Sequence, residues 1–117
     1  MSRNARTTRQ VVKRHMSALV LNLGLPALLA NYDDHAVFIT ANRLYRGKTE
    51  IRDYLASLIA GLRLDLRRYF RLHALRSHQD LAYVVWSVDG QIPLGTDTFI
   101  VRRSRIVQHT FAMFTTR

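Results

Sequence analysis

Val12, Met16, Leu19, Val20 and Leu23 recur at three- and four-residue intervals, which places them on one face of a helix running from about Thr8 to Leu23 and stopped near Gly24. Pro26 suits the first turn of a second, short helix that continues through Leu28 and Leu29 to about Tyr32. Asp33 and Asp34 read as a turn, and the β-branched and aromatic run after them as a strand from about Ala36 to Thr40. Beyond the loop ANRLY, Gly47 sits at the expected cap of a third helix. Glu50 lies in its first turn, where the helix dipole favours an acid, and Ile51, Tyr54, Leu55, Leu58, Ile59 and Leu62 form its apolar stripe as far as Gly61.

From there the helical spacing gives way to alternation, and segments 64–76, 81–89, 94–102 and 105–115 read as strands. SHQD, DG with the following QIP, and RRS are their hairpin connections. Helices first and hairpin-linked strands afterwards predict an α+β architecture, with one antiparallel sheet covering its helices on one side. One position breaks the pattern: Asp97 shares a strand face with Phe99 and Val101, where an apolar side chain is expected.

With 48% hydrophobic residues and only two prolines, the 117-residue chain is expected to fold as a single domain over 9–117, preceded by a flexible basic arm at 1–8. The absence of cysteine excludes disulfide scaffolds, thiolate metal sites and cysteine nucleophiles. His15, His35, His73, His78 and His109 show no close ligand spacing, so neither a metal nor another cofactor is expected.

The balance of 18 Lys and Arg against 8 Asp and Glu, a formal +10, favours anionic partners. The cations fall in three clusters: the N-terminal arm, the segment from Arg63 to Arg76, and RRSR at 102–105, which a solvated turn explains. Nucleic acid is not the expected partner, because no RNP-type motif, recognition helix or zinc-finger spacing accompanies the charge. KRH followed by MSALVLNLGLPALLA imitates a signal peptide, but Asn22, Gly24 and Pro26 interrupt the run and its apolar residues keep helical spacing. A cytoplasmic protein without a membrane segment is therefore the expectation.

The order VVKRHMSALV, ALLANYDDHAVFI, YRGKTEIRDYL and GTDTFIVRRSRIVQHTFAMF resembles the nuclear transport factor two-like superfamily, in particular its SnoaL-like and ketosteroid-isomerase-like members. The resemblance spans residues 9–115. It implies a cone-shaped roll, in which a curved sheet wraps three helices of the N-terminal half and leaves an internal pocket open at one end. It also implies a homodimer formed through the sheet.

The ketosteroid isomerases of that superfamily join an aspartate base to an oxyanion hole made by a tyrosine and a neutral carboxylic acid. On this chain the oxyanion acid falls on Asp97 and the tyrosine position on His15, while the base position falls on Thr40, which cannot take a proton from carbon. His109 is the substitute acid or base, brought near Asp97 if the last two strands pair across RRSR. Asp97, His15 and His109 are thus the candidate catalytic residues. Tyr32, Phe38, Thr40, Tyr54, Trp86, Phe99, Phe111 and Met113 are the candidate lining of a pocket for a small hydrophobic, cyclic, ketone-like molecule.

Each has a structural alternative. Asp97 could be satisfied by a neighbouring tyrosine, histidine or arginine, and His15 could be an ordinary core histidine. Trp86 shares its face with Val84 and Val88, and either face of that strand could meet a second subunit. The expected function is ligand binding with isomerase-like or polyketide-cyclase-like proton transfer. A non-catalytic module whose arginine-rich surface docks an acidic partner is the second reading, and an epoxide hydrolase of the limonene type the third.

Overall fold

The computed structural model describes residues 6–61 and 65–115. It is an α+β roll of ten elements: α1 (Thr8–Val20), α2 (Leu25–Leu29), β1 (Tyr32–Ile39), β2 (Leu44–Arg46), α3 (Gly47–Gly61), α4 (Leu66–Tyr69), β3 (Phe70–His78), β4 (Leu81–Val88), β5 (Ile92–Arg102) and β6 (Arg105–Phe114). The six strands form one curved, unclosed sheet in the order β2-β1-β6-β5-β4-β3. Inside the curve, α1 packs across β3, β4 and β5, while α3 packs on β1 and β2 and touches α2. No helix among the described residues is long and apolar enough to cross a membrane.

The two long helices form where their apolar stripes predict. Thr7 caps α1 by accepting from the Gln10 backbone N–H, and the Gln10 side chain answers by accepting from the Thr7 N–H. The expected arm is therefore tied into the fold from Arg6, whose N–H donates to Ser104 Oγ, whereas residues 1–5 lie outside the described residues. Helix α1 ends at Val20 rather than Leu23. The segment that imitates a signal peptide contributes Met16, Ala18 and Leu28 to the core.

Four expectations are corrected. The second helix stops at Leu29 and the first strand begins at Tyr32, not Ala36, because the Tyr32 side chain is fully buried and its backbone pairs beside Ile106. Leu44–Arg46, read as loop, is a short strand against Val37–Ile39. The strand expected from 64 starts at Phe70: Asp65 Oδ1 accepts from the Arg67 N–H and caps the single turn α4. Its first residue, Leu64, lies outside the described residues. The sheet is also mixed, since β1 runs parallel to β6; long connection, not a hairpin, separates them in the chain.

Two tight turns, Gln79–Asp80 and Arg103–Ser104, fix the hairpin registers, the second with both residues at positive φ. Register irregularities at Leu72/Ala74, Trp86/Val88 and Ile100/Val101 bend the sheet around its helices. The last of these brings Ile106 and His109, three residues apart, onto the inner face. It also sets Asp97 opposite Phe111, further along β6 than a plain count from the turn suggests.

Trp86 faces inward with Val84 and Val88, which removes it from any interface on the outer face. Its indole lies flat on Gly95, the residue opposite it on β5: a Cβ added there would meet Trp86 Cζ2 at 2.3 Å. Gly95→Ala is expected to displace the indole and to destabilise the protein by about 1–3 kcal/mol, as overpacked cores do. Chemical denaturation, followed by the emission of this single tryptophan, measures both. Unchanged stability with unchanged emission would contradict the packing described.

Candidate functional site

Four parts of the fold bring five polar side chains to one place inside the roll. Helix α1 supplies His15, the α2–β1 junction supplies Asn31 and Tyr32, β5 supplies Asp97 and β6 supplies His109. None of the five is more than 6% exposed. Buried polar groups of this kind are stable only when their donors and acceptors are matched, and here they form one continuous chain. Asn31 Nδ2 lies 3.2 Å from Ala27 O and 3.1 Å from His15 Nδ1. His15 Nε2 lies 3.2 Å from Tyr32 Oη, which lies 2.9 Å from His109 Nδ1. His109 Nε2 lies 2.6 Å from Asp97 Oδ1, and Trp86 Nε1 donates to Asp97 Oδ2 at 2.7 Å.

The direction of this chain follows from its first link. A backbone carbonyl can only accept, so the Asn31 amide presents its nitrogen to Ala27 O, and the same nitrogen donates to His15 Nδ1. His15, whose pKa burial and the neighbouring His109 lower to about 3, is neutral and carries its proton on Nε2. That proton goes to Tyr32 Oη, the Tyr32 hydroxyl donates to His109 Nδ1, and His109 donates from Nε2 to Asp97. An imidazolium at His109 would aim two N–H groups at Tyr32 Oη and leave the tyrosine proton without an acceptor. Both Asp97 oxygens therefore accept, each through a short hydrogen bond from an N–H group, an arrangement suited to a carboxylate.

Packing fixes the same geometry. The His109 ring is stacked between Phe38, with centroids 4.2 Å apart, and Phe99, at 4.1 Å. These three residues are neighbours in one row across β1, β6 and β5. Burial, with Asp97 next in importance, raises Tyr32 well above its ordinary pKa, so it stays a hydroxyl. Tyr54 is pushed up to about 12 by burial, then by Tyr45 and Asp97.

Asp97, His15 and His109 line a narrow chamber of about 40 Å³. Its other walls are the aliphatic Met16, Leu19, Leu28, Leu55, Leu58, Leu66, Val88 and Ile92 and the aromatic Phe38, Tyr54, Phe70, Trp86 and Phe111. Asp97 is the one acidic group on this surface, which carries neither lysine nor arginine among the described residues. Trp86 and Phe111 stand nearly parallel in this wall, with ring centroids 6.1 Å apart. Leu19, Leu28 and Leu66 also border a wider hollow of about 440 Å³ between the end of α1, α2 and α4.

Several expected roles change. Thr40 is in a turn, its Oγ accepting from the Asn42 N–H at 3.2 Å, and does not reach the chamber. Met113 is 42% exposed near the end of β6. Tyr32 and Phe99 are fully buried behind the chamber rather than in its wall: one relays hydrogen bonds and the other backs the His109 ring. Both ring nitrogens of His15 and His109 are spent on the chain, so neither offers a lone pair to a bound molecule. Asn31 was not singled out from sequence, where it resembles any polar residue after a short helix.

No protein-family model matches the sequence, and no curated protein matches it. Solved structures do match in shape. A nuclear transport factor two-like protein of unknown function from Burkholderia xenovorans aligns with 94% of this chain and 84% of its own, at 14% identity and a TM-score of 0.74. A SnoaL-like protein of unknown function from Burkholderia thailandensis aligns over 92% and 94%, at 18% identity and a TM-score of 0.71. A protein provisionally described as a polyketide cyclase, from Sinorhizobium meliloti, aligns over 87% and 93%, at 19% identity and a TM-score of 0.72. At these identities the likeness is one of fold.

A histidine held neutral in the folded state gives a definite pH dependence. With an ordinary value of 6.5 in the unfolded chain and about 3 in the fold, His15 contributes stability that is complete above pH 6.5 and is lost as pH falls towards 3. Through that window it removes up to about 1.4 kcal/mol per pH unit. Urea denaturation between pH 7 and 5 should show this slope in the wild type and a slope shallower by nearly one proton in His15→Gln. Equal slopes would show that His15 is not buried in its neutral form.

Proposed function

We propose that this chain, which has the nuclear transport factor two-like fold, holds a small hydrophobic molecule in the inner chamber, with the Asp97 carboxylate meeting the molecule's polar group. One observation carries the reading: a single acid, its geometry fixed by Trp86 and His109, stands in a wall whose two histidines are spent on the hydrogen-bond chain and whose other members are aliphatic and aromatic. A carboxylate buried in such a wall is costly unless it is used, and its two hydrogen bonds occupy only half of its lone-pair positions.

The same carboxylate is suited to accept a proton from a bound molecule, because the apolar wall leaves its remaining lone pairs little solvated. Proton transfer at Asp97 is therefore the chemistry we propose, and the likeness of fold to a protein provisionally described as a polyketide cyclase supports it. The scheme differs from the ketosteroid-isomerase pattern, in which the corresponding acid is neutral and a second carboxylate is the base. Here Asp97 takes the role of base. His109 and Trp86 orient it, and Tyr32, His15 and Asn31 hold His109 in the tautomer that leaves Asp97 ionised.

A chamber of about 40 Å³ is well below the roughly 300–1,000 Å³ of ligand pockets, so a ligand would extend into the wider hollow beyond Leu19, Leu28 and Leu66. Methyl-detected NMR with added cyclohexanol and cyclohexanone tests occupancy. Shifts are expected to concentrate at Met16, Leu28, Val88 and Ile92, and Leu58→Phe, which narrows the chamber, should weaken them about tenfold or more. Shifts scattered over the surface, or indifferent to Leu58→Phe, would refute the chamber as the binding site.

A further inference from the structure

The outer links of the hydrogen-bond chain determine which kind of ligand the chamber accepts. Asn31 gives one amide proton to Ala27 O and the other to His15, and from there each proton of His15, Tyr32 and His109 points toward Asp97, so the chain ends in an acceptor. Reversing it would require His15 to accept at both ring nitrogens, which a neutral imidazole cannot do. Trp86 is a donor whatever its surroundings and closes the other carboxylate oxygen. At Asp97 the remaining polar capacity facing the chamber is therefore that of lone pairs, and the Tyr54 hydroxyl is the other uncommitted polar group of the wall among the described residues.

We infer that the chamber selects hydrophobic molecules that bring a hydrogen-bond donor, a hydroxyl or an N–H, to Asp97, and discriminates against the corresponding carbonyl compounds. The inference rests on the chamber being the binding site, and it reverses the ketone preference that the sequence resemblance implied. A carbonyl oxygen placed against Asp97 would set lone pairs against lone pairs and leave the carboxylate without a new partner. An alcohol of the same skeleton completes its hydrogen bonding. Sites built to bond a ligand hydroxyl reject analogues lacking it far more strongly than apolar walls reject a change of size. Polarity at this one atom therefore outweighs the fit of the ring.

Cyclohexanol and cyclohexanone differ in this respect while sharing a skeleton, and because the ketone absorbs weakly where tryptophan is excited, the methyl shifts are the common readout. Titration of the full chain at pH 7, followed by the methyl shifts, should give cyclohexanol an affinity at least about tenfold above that of cyclohexanone. Asp97→Asn, which brings an amide N–H into the acceptor's place, should bring the two to within about threefold. Trp86→Phe, which keeps the carboxylate, should retain the preference in the methyl shifts and serves if the asparagine variant does not fold. Equal binding of the two, or tighter binding of the ketone, with shifts still confined to the chamber would overturn the donor inference and leave the binding site standing. Binding of neither compound at millimolar concentration would overturn the donor inference together with the proposed function.

Discussion

The backbone carbonyl of Ala27 has only lone pairs to offer, and the polarity of the whole buried site follows from it. It turns the Asn31 amide nitrogen inward, which makes His15 Nδ1 an acceptor and His15 Nε2 a donor. Tyr32 and His109 must then pass the same direction on to Asp97. In a dry interior each unmatched group costs about 1–3 kcal/mol, so a chain of this length has one arrangement that is far better than its alternatives. The carboxylate at its end is as much a product of α2, some distance away in the fold, as of the strand that carries it.

The architecture serves that chain in two ways. The parallel pairing of β1 with β6 places Tyr32 and Phe38 beside the strand that carries His109, and the register irregularity in the β5–β6 hairpin turns His109 inward next to Asp97. Stacking between Phe38 and Phe99 then fixes the plane of the His109 ring while its two nitrogens fix the rotation within that plane. Gly95 does the same for Trp86 by leaving the indole room to lie against β5 and reach Asp97. Orientation of the carboxylate thus comes from rigid strands and stacked rings rather than from loops, the arrangement expected of a site held to sub-ångström tolerance.

What could be read in the sequence was whatever depends on local pattern. The stripes of α1 and α3 are long enough to identify, and Asp97 and His15 stood out because each is a polar side chain at a position whose neighbours demand an apolar one. The strand Leu44–Arg46 was not legible, since three residues have no period and pair only because β1 lies beside them. Nor was the parallel β1–β6 contact, which no turn announces. Tyr32 was marked as an aromatic lining residue, but its part is to pass a hydrogen bond between two histidines from opposite ends of the chain. Asn31 gave no signal, because its importance lies wholly in its two partners. The identity of Asp97 as the site's acid was therefore visible locally, whereas its state as an acceptor depends on contacts that only the fold assembles.

That state can be observed without any ligand. Nitrogen-15 spectra of the imidazole rings, recorded at pH 7 on the intact chain, distinguish the two neutral tautomers from each other and from the imidazolium. The hydrogen-bond chain requires His15 and His109 both to be neutral with the proton on Nε2, each with an unprotonated Nδ1. A proton on Nδ1 of either ring, or a doubly protonated His109, would reverse or break the chain and contradict the assignment of Asp97 as an acceptor.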